Sequence, residues 1–140
     1  MRLFEFVDDR GRGVFLPWMA GLQASQRAAL VPKLKAVLSA GEPGDSRQGE
    51  LPPNLFRGPV VYQHRRYRHT FKLTVSGNVA LRPLCCRGPV DIDTEWTILH
   101  PVIEIGGQYP DGCFAEAERR RLAVIAFPNL RRREITKDDL

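Results

Sequence analysis

Between residues 51 and 90 the chain carries seven basic side chains, Arg57, Arg65, Arg66, Arg68, Lys72, Arg82 and Arg87, and no Asp or Glu. Six of the seven are arginines, whose planar guanidinium contacts phosphate in a bidentate manner and stacks on bases. The run His64-Arg65-Arg66-Tyr67-Arg68-His69 sets an aromatic ring among the cations. That composition points to a polyanion such as a nucleic acid, and does not distinguish RNA from DNA. The flanks are different. Residues 1–50 hold seven basic and six acidic side chains, and residues 91–140 hold seven and ten. The formal charge of +5 on 140 residues therefore lies wholly in the middle of the chain.

Lys72 and Arg82 flank a hairpin signal at Gly77-Asn78, which sets residues near 72 roughly opposite 82–83. Two readings stay open: both cations enter one concave face, or Lys72 simply faces solvent on a half-buried sheet. Arg87 either clamps a second phosphate or ends its strand. His69, His100 and Tyr109 are the side chains suited to moving protons. His69 comes first because it sits in the basic run, whereas His100 on an apolar strand reads as a core histidine. Arg119–Arg121 are offset by Glu116 and Glu118 and read as a solvated helix face. Arg131–Arg133 form a second cluster near the end. The three cysteines, two of them adjacent (Cys85-Cys86, then Cys113), lack both a disulfide framework and the spacing of a metal site with His64, His69 and His100. They read as small, partly buried hydrophobes, with no metal and no cofactor expected.

Positioning these residues requires strands and helices that the periodicity outlines. Met1–Val7 alternates as a strand, and Asp8-Asp9-Arg10-Gly11-Arg12-Gly13 is turn material. Phe15, Trp18, Met19 and Leu22 predict a helix over 14–22. Ser25 reads as the N-cap of a second helix carrying Leu30, Leu34, Val37 and Leu38, which Pro32 should kink or interrupt. Residues 39–58 read as a polar loop. Thr70–Ser76, Val79–Arg87 and Glu95–Ile105 predict a three-stranded meander, with Pro83 and Pro101 marking irregularities. A helix over 114–127 has Ala117, Leu122, Val124 and Ile125 as its apolar stripe. Arg131–Leu140 reads as a flexible tail too polar to pack. The expected fold is a single α+β domain over 1–140, a small antiparallel sheet packed against a helical hairpin, with a C-terminal helix. Composition excludes collagen-like, coiled-coil and wholly disordered chains, and no apolar run reaches membrane-spanning length. A soluble, cytoplasmic protein with no membrane partner is expected.

The segments FKLTVSGNVALRPLCCRGP and EWTILHPVIEIGG, followed by a helix with Ala-Glu-Arg-Arg-Arg, resemble the phage-derived, HigB-like branch of the RelE/ParE toxin superfamily. The Asp8-Asp9-Arg10-Gly11 turn before a Trp18-bearing helix is similar too. The resemblance spans most of 1–133 apart from 39–58. It implies a toxin of a type II toxin–antitoxin pair, a metal-independent endoribonuclease cleaving messenger RNA on the ribosome and restrained by a cognate antitoxin protein. It places Lys72 and Arg82 at functional positions of the family. With His69 they form the expected catalytic set, and Arg65, Arg66, Arg68 and Arg87 the expected nucleic-acid contacts. The alternative is a non-catalytic factor of a phage or mobile element, with the same fold, that binds nucleic acid or a host protein. The chain departs from the family pattern at Ile105-Gly106 after Glu104, and at Glu134 after the last arginine run.

Overall fold

The computed structural model describes residues 1–40, 55–75 and 79–140. In chain order they form β1 (Arg2–Phe6), α1 (Leu16–Ala20), α2 (Ala24–Ser39), β2 (Phe56–Arg57), β3 (Val60–Tyr62), β4 (Arg65–Tyr67), β5 (Phe71–Leu73), β6 (Ala80–Leu81) and β7 (Leu84–Arg87). There follow β8 (Glu95–His100), β9 (Ile103–Glu104), α3 (Cys113–Ala126), α4 (Pro128–Arg131), β10 (Arg132–Ile135) and a closing 3₁₀ turn at Lys137–Asp139. The main sheet has six strands in the order β10-β1-β8-β7-β5-β2, with β1 and β8 parallel and the other neighbours antiparallel. The expected α+β class holds, and the sheet is larger than the small antiparallel one expected.

Alternation along the strands sends side chains to two faces, and each face meets its own helices. Leu3, Cys85, Trp96 and Ile98 pack with Phe15 and Met19 of the α1 segment and with Leu30, Leu34 and Val37 of α2. Phe6, Leu84, Cys86 and Leu99 pack with Cys113, Phe114, Ala117 and Val124 of α3. Helices therefore cover both faces of the sheet. The stripe of α3 is rotated from the expected one: Ala117 and Val124 are buried, but Leu122 and Ile125 are 53% and 48% exposed. Arg120 and Arg121 take up space on the sheet side instead, with side chains only 17% and 15% exposed. Their long stems pack while their guanidinium groups reach Glu116 and Glu118, so of the arginine run expected on a solvated face only Arg119, 63% exposed, lies there.

Several boundaries differ from expectation for local reasons. The first helix is only five residues long. The second begins at Ala24, capped by a reciprocal Gln23–Gln26 pair rather than by Ser25. Pro32 sits inside α2 without ending it. Pro32 and Ala28, whose carbonyl loses its helical partner, both lie on the exposed side of the helix, where an unpaired carbonyl costs least. Pro83 and Pro101 do interrupt their strands: β6 and β9 pair beyond the two breaks, and the β7–β8 register shifts at Leu84/Cys85. The hairpin expected at Gly77-Asn78 and most of the loop at 39–58 lie outside the described residues.

The expectation of an unpacked tail from 131 fails. Residues 132–135 form β10 on the open edge of β1, in the register Leu3↔Ile135, Glu5↔Arg133 and Phe6↔Arg132. One apolar residue, Ile135 at 1% exposure, enters the core. The arginines find buried acids: Arg133 bonds Glu5 at 2.7 Å and Arg132 bonds Glu95 at 2.6 Å. Polarity here supplies cross-strand partners instead of preventing packing.

Glu5 has no exposed surface, and it also accepts hydrogen bonds from the Phe15 and Leu16 amides at the start of α1. A Cβ on Gly13 would lie 2.1 Å from Glu5 Oε1. Held by three donors, the carboxylate has nowhere to retreat. Gly13→Ala should therefore lower stability by about 1–3 kcal/mol. Gly21→Ala, where a Cβ meets nothing closer than 3.5 Å, should shift it by less than about 0.5 kcal/mol. Urea midpoints of the two variants check the contrast, and equal midpoints would refute the crowding at Gly13.

Candidate nucleic-acid interface

The basic run folds into a hairpin of its own. β3 and β4 pair with Val60↔Tyr67 and Tyr62↔Arg65, closed by Gln63 and His64 alone. Both turn residues have positive φ, 50° and 65°, as the tightest hairpin turns require. Neither is Gly, Asn or Asp, so the sequence carries no turn signal at this point. On the inner face Val60 is buried and Tyr62 and Tyr67 are half-buried; Val61 and Arg66 are exposed on the outer one.

Four aromatic rings anchor the hairpin to α3. Phe114 stacks on Tyr67 at 4.3 Å and lies 5.5 Å from Tyr62 and 5.0 Å from Tyr109. The Tyr109 amide donates to the Tyr62 hydroxyl at 3.2 Å. Arg65, on the same face of the hairpin as Tyr62 and Tyr67, lies 5.2 Å over the Tyr67 ring. Between the hairpin and the start of α3 runs a groove of about 760 Å³, bordered by Arg65, Arg66, Arg68 and His69. Arg68 and His69 also border a neighbouring depression of about 380 Å³, with Arg87 on its far side.

Lys72 projects from β5 to the α3 side of the sheet, opposite Leu84. Its Nζ lies 3.1 Å from the Tyr109 hydroxyl and 5.6 Å from the ring centre. The Glu104 carboxylate lies close enough to Tyr109 to raise its pKa, and its Oε1 is 3.5 Å from Arg82 Nε. Arg82 Nη1 is spent on the carbonyls of Val75 and Leu81, both at 2.9 Å. Lys72 and Arg82 are thus brought into one cluster, joined through Tyr109 and Glu104. Burial, and then the Glu104 carboxylate, push Tyr109 up to about 12, partly opposed by Arg82. At neutral pH its hydroxyl holds its proton and is a donor rather than a base.

His69 does not join that cluster in any described contact; it stands exposed at the exit of the hairpin, on the groove. His100 lies half-buried with Nδ1 3.1 Å from Arg120 Nη1, and burial followed by the Arg120 charge lowers its pKa. That placement fits the core role expected for it. Arg65, Arg66, Arg68 and Arg87 are exposed as their expected role needs, and so is Arg57 on β2. Glu104 was legible only as a landmark of the resemblance, and its place beside Tyr109 and Arg82 follows from the pairing of β6 with β9. The described residues include no group of three His, Cys, Asp or Glu placed to hold a metal ion. The three cysteines are buried and unpaired. No described helix is long and apolar enough to cross a membrane.

The raised Tyr109 has a consequence for stability. The folded state keeps the phenol proton above pH 10, where an unfolded tyrosine loses it. Its contribution is whole below pH 10 and is lost as pH rises through about 12. The stability difference between the wild-type chain and Tyr109→Phe should shrink over that window in urea titrations. A difference independent of pH would show that Tyr109 ionises as readily in the folded chain. No protein-family model matches the chain, and no curated protein or solved structure is significantly similar to it.

Proposed function

We propose that the chain holds a single strand of RNA on its arginine hairpin and cleaves it as a metal-independent endoribonuclease. Messenger RNA on the ribosome is the substrate, and a cognate antitoxin the restraining partner, as in the toxins that the sequence resembles. One observation carries the nucleic-acid part of this reading. Among the described residues, nine arginines form ion pairs with carboxylates: Arg2, Arg12, Arg82, Arg119, Arg120, Arg121, Arg131, Arg132 and Arg133. Arg57, Arg65, Arg66, Arg68 and Arg87 have no carboxylate partner among the described residues, and all five are exposed. Elsewhere among the described residues only Arg10, which is exposed, and Arg27, which bonds the Ala20 carbonyl, lack a carboxylate. Five unneutralised arginines within residues 57–87 are therefore a concentration of charge suited to an outside anion.

The chemistry would use the neighbouring 2′-hydroxyl as nucleophile on the scissile phosphate. Lys72 supplies positive charge to the phosphorane-like transition state. Tyr109, protonated at neutral pH, gives a proton to the departing 5′ oxygen. His69 is the side chain proposed to take the proton from the 2′-hydroxyl. A second reading, binding without cleavage, is favoured by Arg82. Its side chain is 14% exposed and committed to two carbonyls and to Glu104, so it has little left for a phosphate.

Two measurements separate these readings. Binding of an unstructured RNA should weaken with rising salt, and Arg66→Gln with Arg68→Gln should flatten the log–log slope by about 0.7 for each charge removed. Cleavage in a ribosome-containing extract should fall by at least about 100-fold in Lys72→Ala and Tyr109→Phe, with binding kept. Binding without any new RNA ends would select the second reading. Absence of binding to any nucleic acid would reject both.

A further inference from the structure

The groove beside the hairpin has more in it than a phosphate track needs. Its floor is aromatic, built on Phe114, which is 5% exposed, and on Tyr67 stacked against it. Its rim is cationic, with Arg65, Arg66 and Arg68 on the hairpin. Apolar rings below and arginines above are the combination that takes unstacked bases inside and their phosphates outside. A volume of about 760 Å³ accommodates a base together with its sugar and flanking phosphate.

One lining residue runs against a simple polyanion site. Asp111 is exposed on the groove, where its charge repels a phosphate backbone. The other carboxylate on the groove, Glu118, is bound to Arg121 at 2.7 Å. Asp111 has no cation partner among the described residues. It immediately precedes Gly112, which caps the 14-residue α3 without a side-chain bond, so the positive end of that helix tolerates its charge unpaired. An ionised carboxylate only accepts hydrogen bonds, and its two oxygens suit two parallel donors. Guanine alone among the four RNA bases offers such a pair on its Watson–Crick edge, N1–H beside the N2 amino group. Adenine and cytosine set a ring acceptor beside their single amino group, and uracil flanks its one N–H with two carbonyls.

We infer that the groove seats an unstacked guanine of single-stranded RNA, with its Watson–Crick edge on Asp111, its face on the Arg65 guanidinium that lies over Tyr67 and its flanking phosphates on Arg66 and Arg68. This rests on the RNA-binding reading above and adds to it a base preference and the residue that sets it.

The test uses labelled oligouridylates of about eight nucleotides, each with one central G, A, C or U. Fluorescence anisotropy at one fixed salt concentration would give their affinities for the full chain. The G-containing strand should bind about tenfold tighter than the others. Asp111→Asn, which keeps size and removes the paired acceptor, should abolish that preference and leave the all-U strand bound as well as before or slightly tighter. Four equal wild-type affinities would overturn the guanine inference and leave RNA binding standing. Binding of polyglutamate as tight as that of the G-containing strand, with mutual competition, would overturn it in favour of an acidic peptide. Failure of every oligonucleotide to bind would reject the RNA reading itself.

Discussion

A carboxylate shut away from water holds the beginning and the end of this chain together. Glu5 lies in the first strand with no exposed surface, and its charge is met by the Phe15 and Leu16 amides and by Arg133. Removing any donor would leave a buried charge short of a partner, a cost of several kcal/mol by analogy with broken buried pairs, about 3–5 kcal/mol. The carboxylate therefore dictates where α1 starts, which strand covers the edge of β1, and why Gly13 has no side chain. A second buried acid, Glu95, does the same on the opposite face, where Arg132 also lies 3.8 Å over the Phe4 ring. With its edges settled by these pairs, the sheet presents fixed positions to α3 and to the arginine hairpin.

This use of acids explains the electrical layout of the molecule. Among the carboxylates of residues 91–140, Glu95, Glu116 and Glu118 pair with arginines of the same region, Glu134 with Arg2 and Glu104 with Arg82. None of these five carboxylates pairs with an arginine of the hairpin. The uneven distribution along the sequence becomes an uneven distribution in space because β3 and β4 pair with each other and not with the main sheet.

The fold was legible in the sequence wherever alternation and strand breakers acted locally. Phe71, Leu73, Pro83 and Pro101 marked the meander, and the exposure of the arginines followed from their number. What was hidden depended on long-range pairing. Arg131–Leu140 looks unpackable until Glu5 and Glu95 are set beside it. Leu122 and Ile125 look like core until Arg120 and Arg121 are seen packed between α3 and the sheet. The hairpin turn was illegible because Gln63 and His64 occupy left-handed backbone positions that usually call for Gly, Asn or Asp. Tyr109 was recognisable as a titratable group near the end of the sheet, but its bond to Lys72 and its place near Glu104 depend on long-range packing and on the register of β6 with β9.

Tyr109 is also what makes the hairpin and the lysine one apparatus rather than two. Its amide is held by the Tyr62 hydroxyl on β3, its ring packs on Phe114, and its hydroxyl receives a hydrogen bond from Lys72. An anionic strand lying in the groove between the hairpin and α3, as proposed above, would therefore bear on Tyr109, which also lines that groove and bonds Lys72. Tyr62 and Tyr67 are half-buried rather than sealed, so the aromatic contacts leave the hairpin room to adjust while the backbone bond to Tyr109 keeps it in register. Coupling of this kind favours a ligand that fills the groove and reaches the lysine together. A flexible strand of nucleotides meets that demand, whereas a rigid duplex lying across the arginine rim would touch the charges and leave the aromatic floor empty.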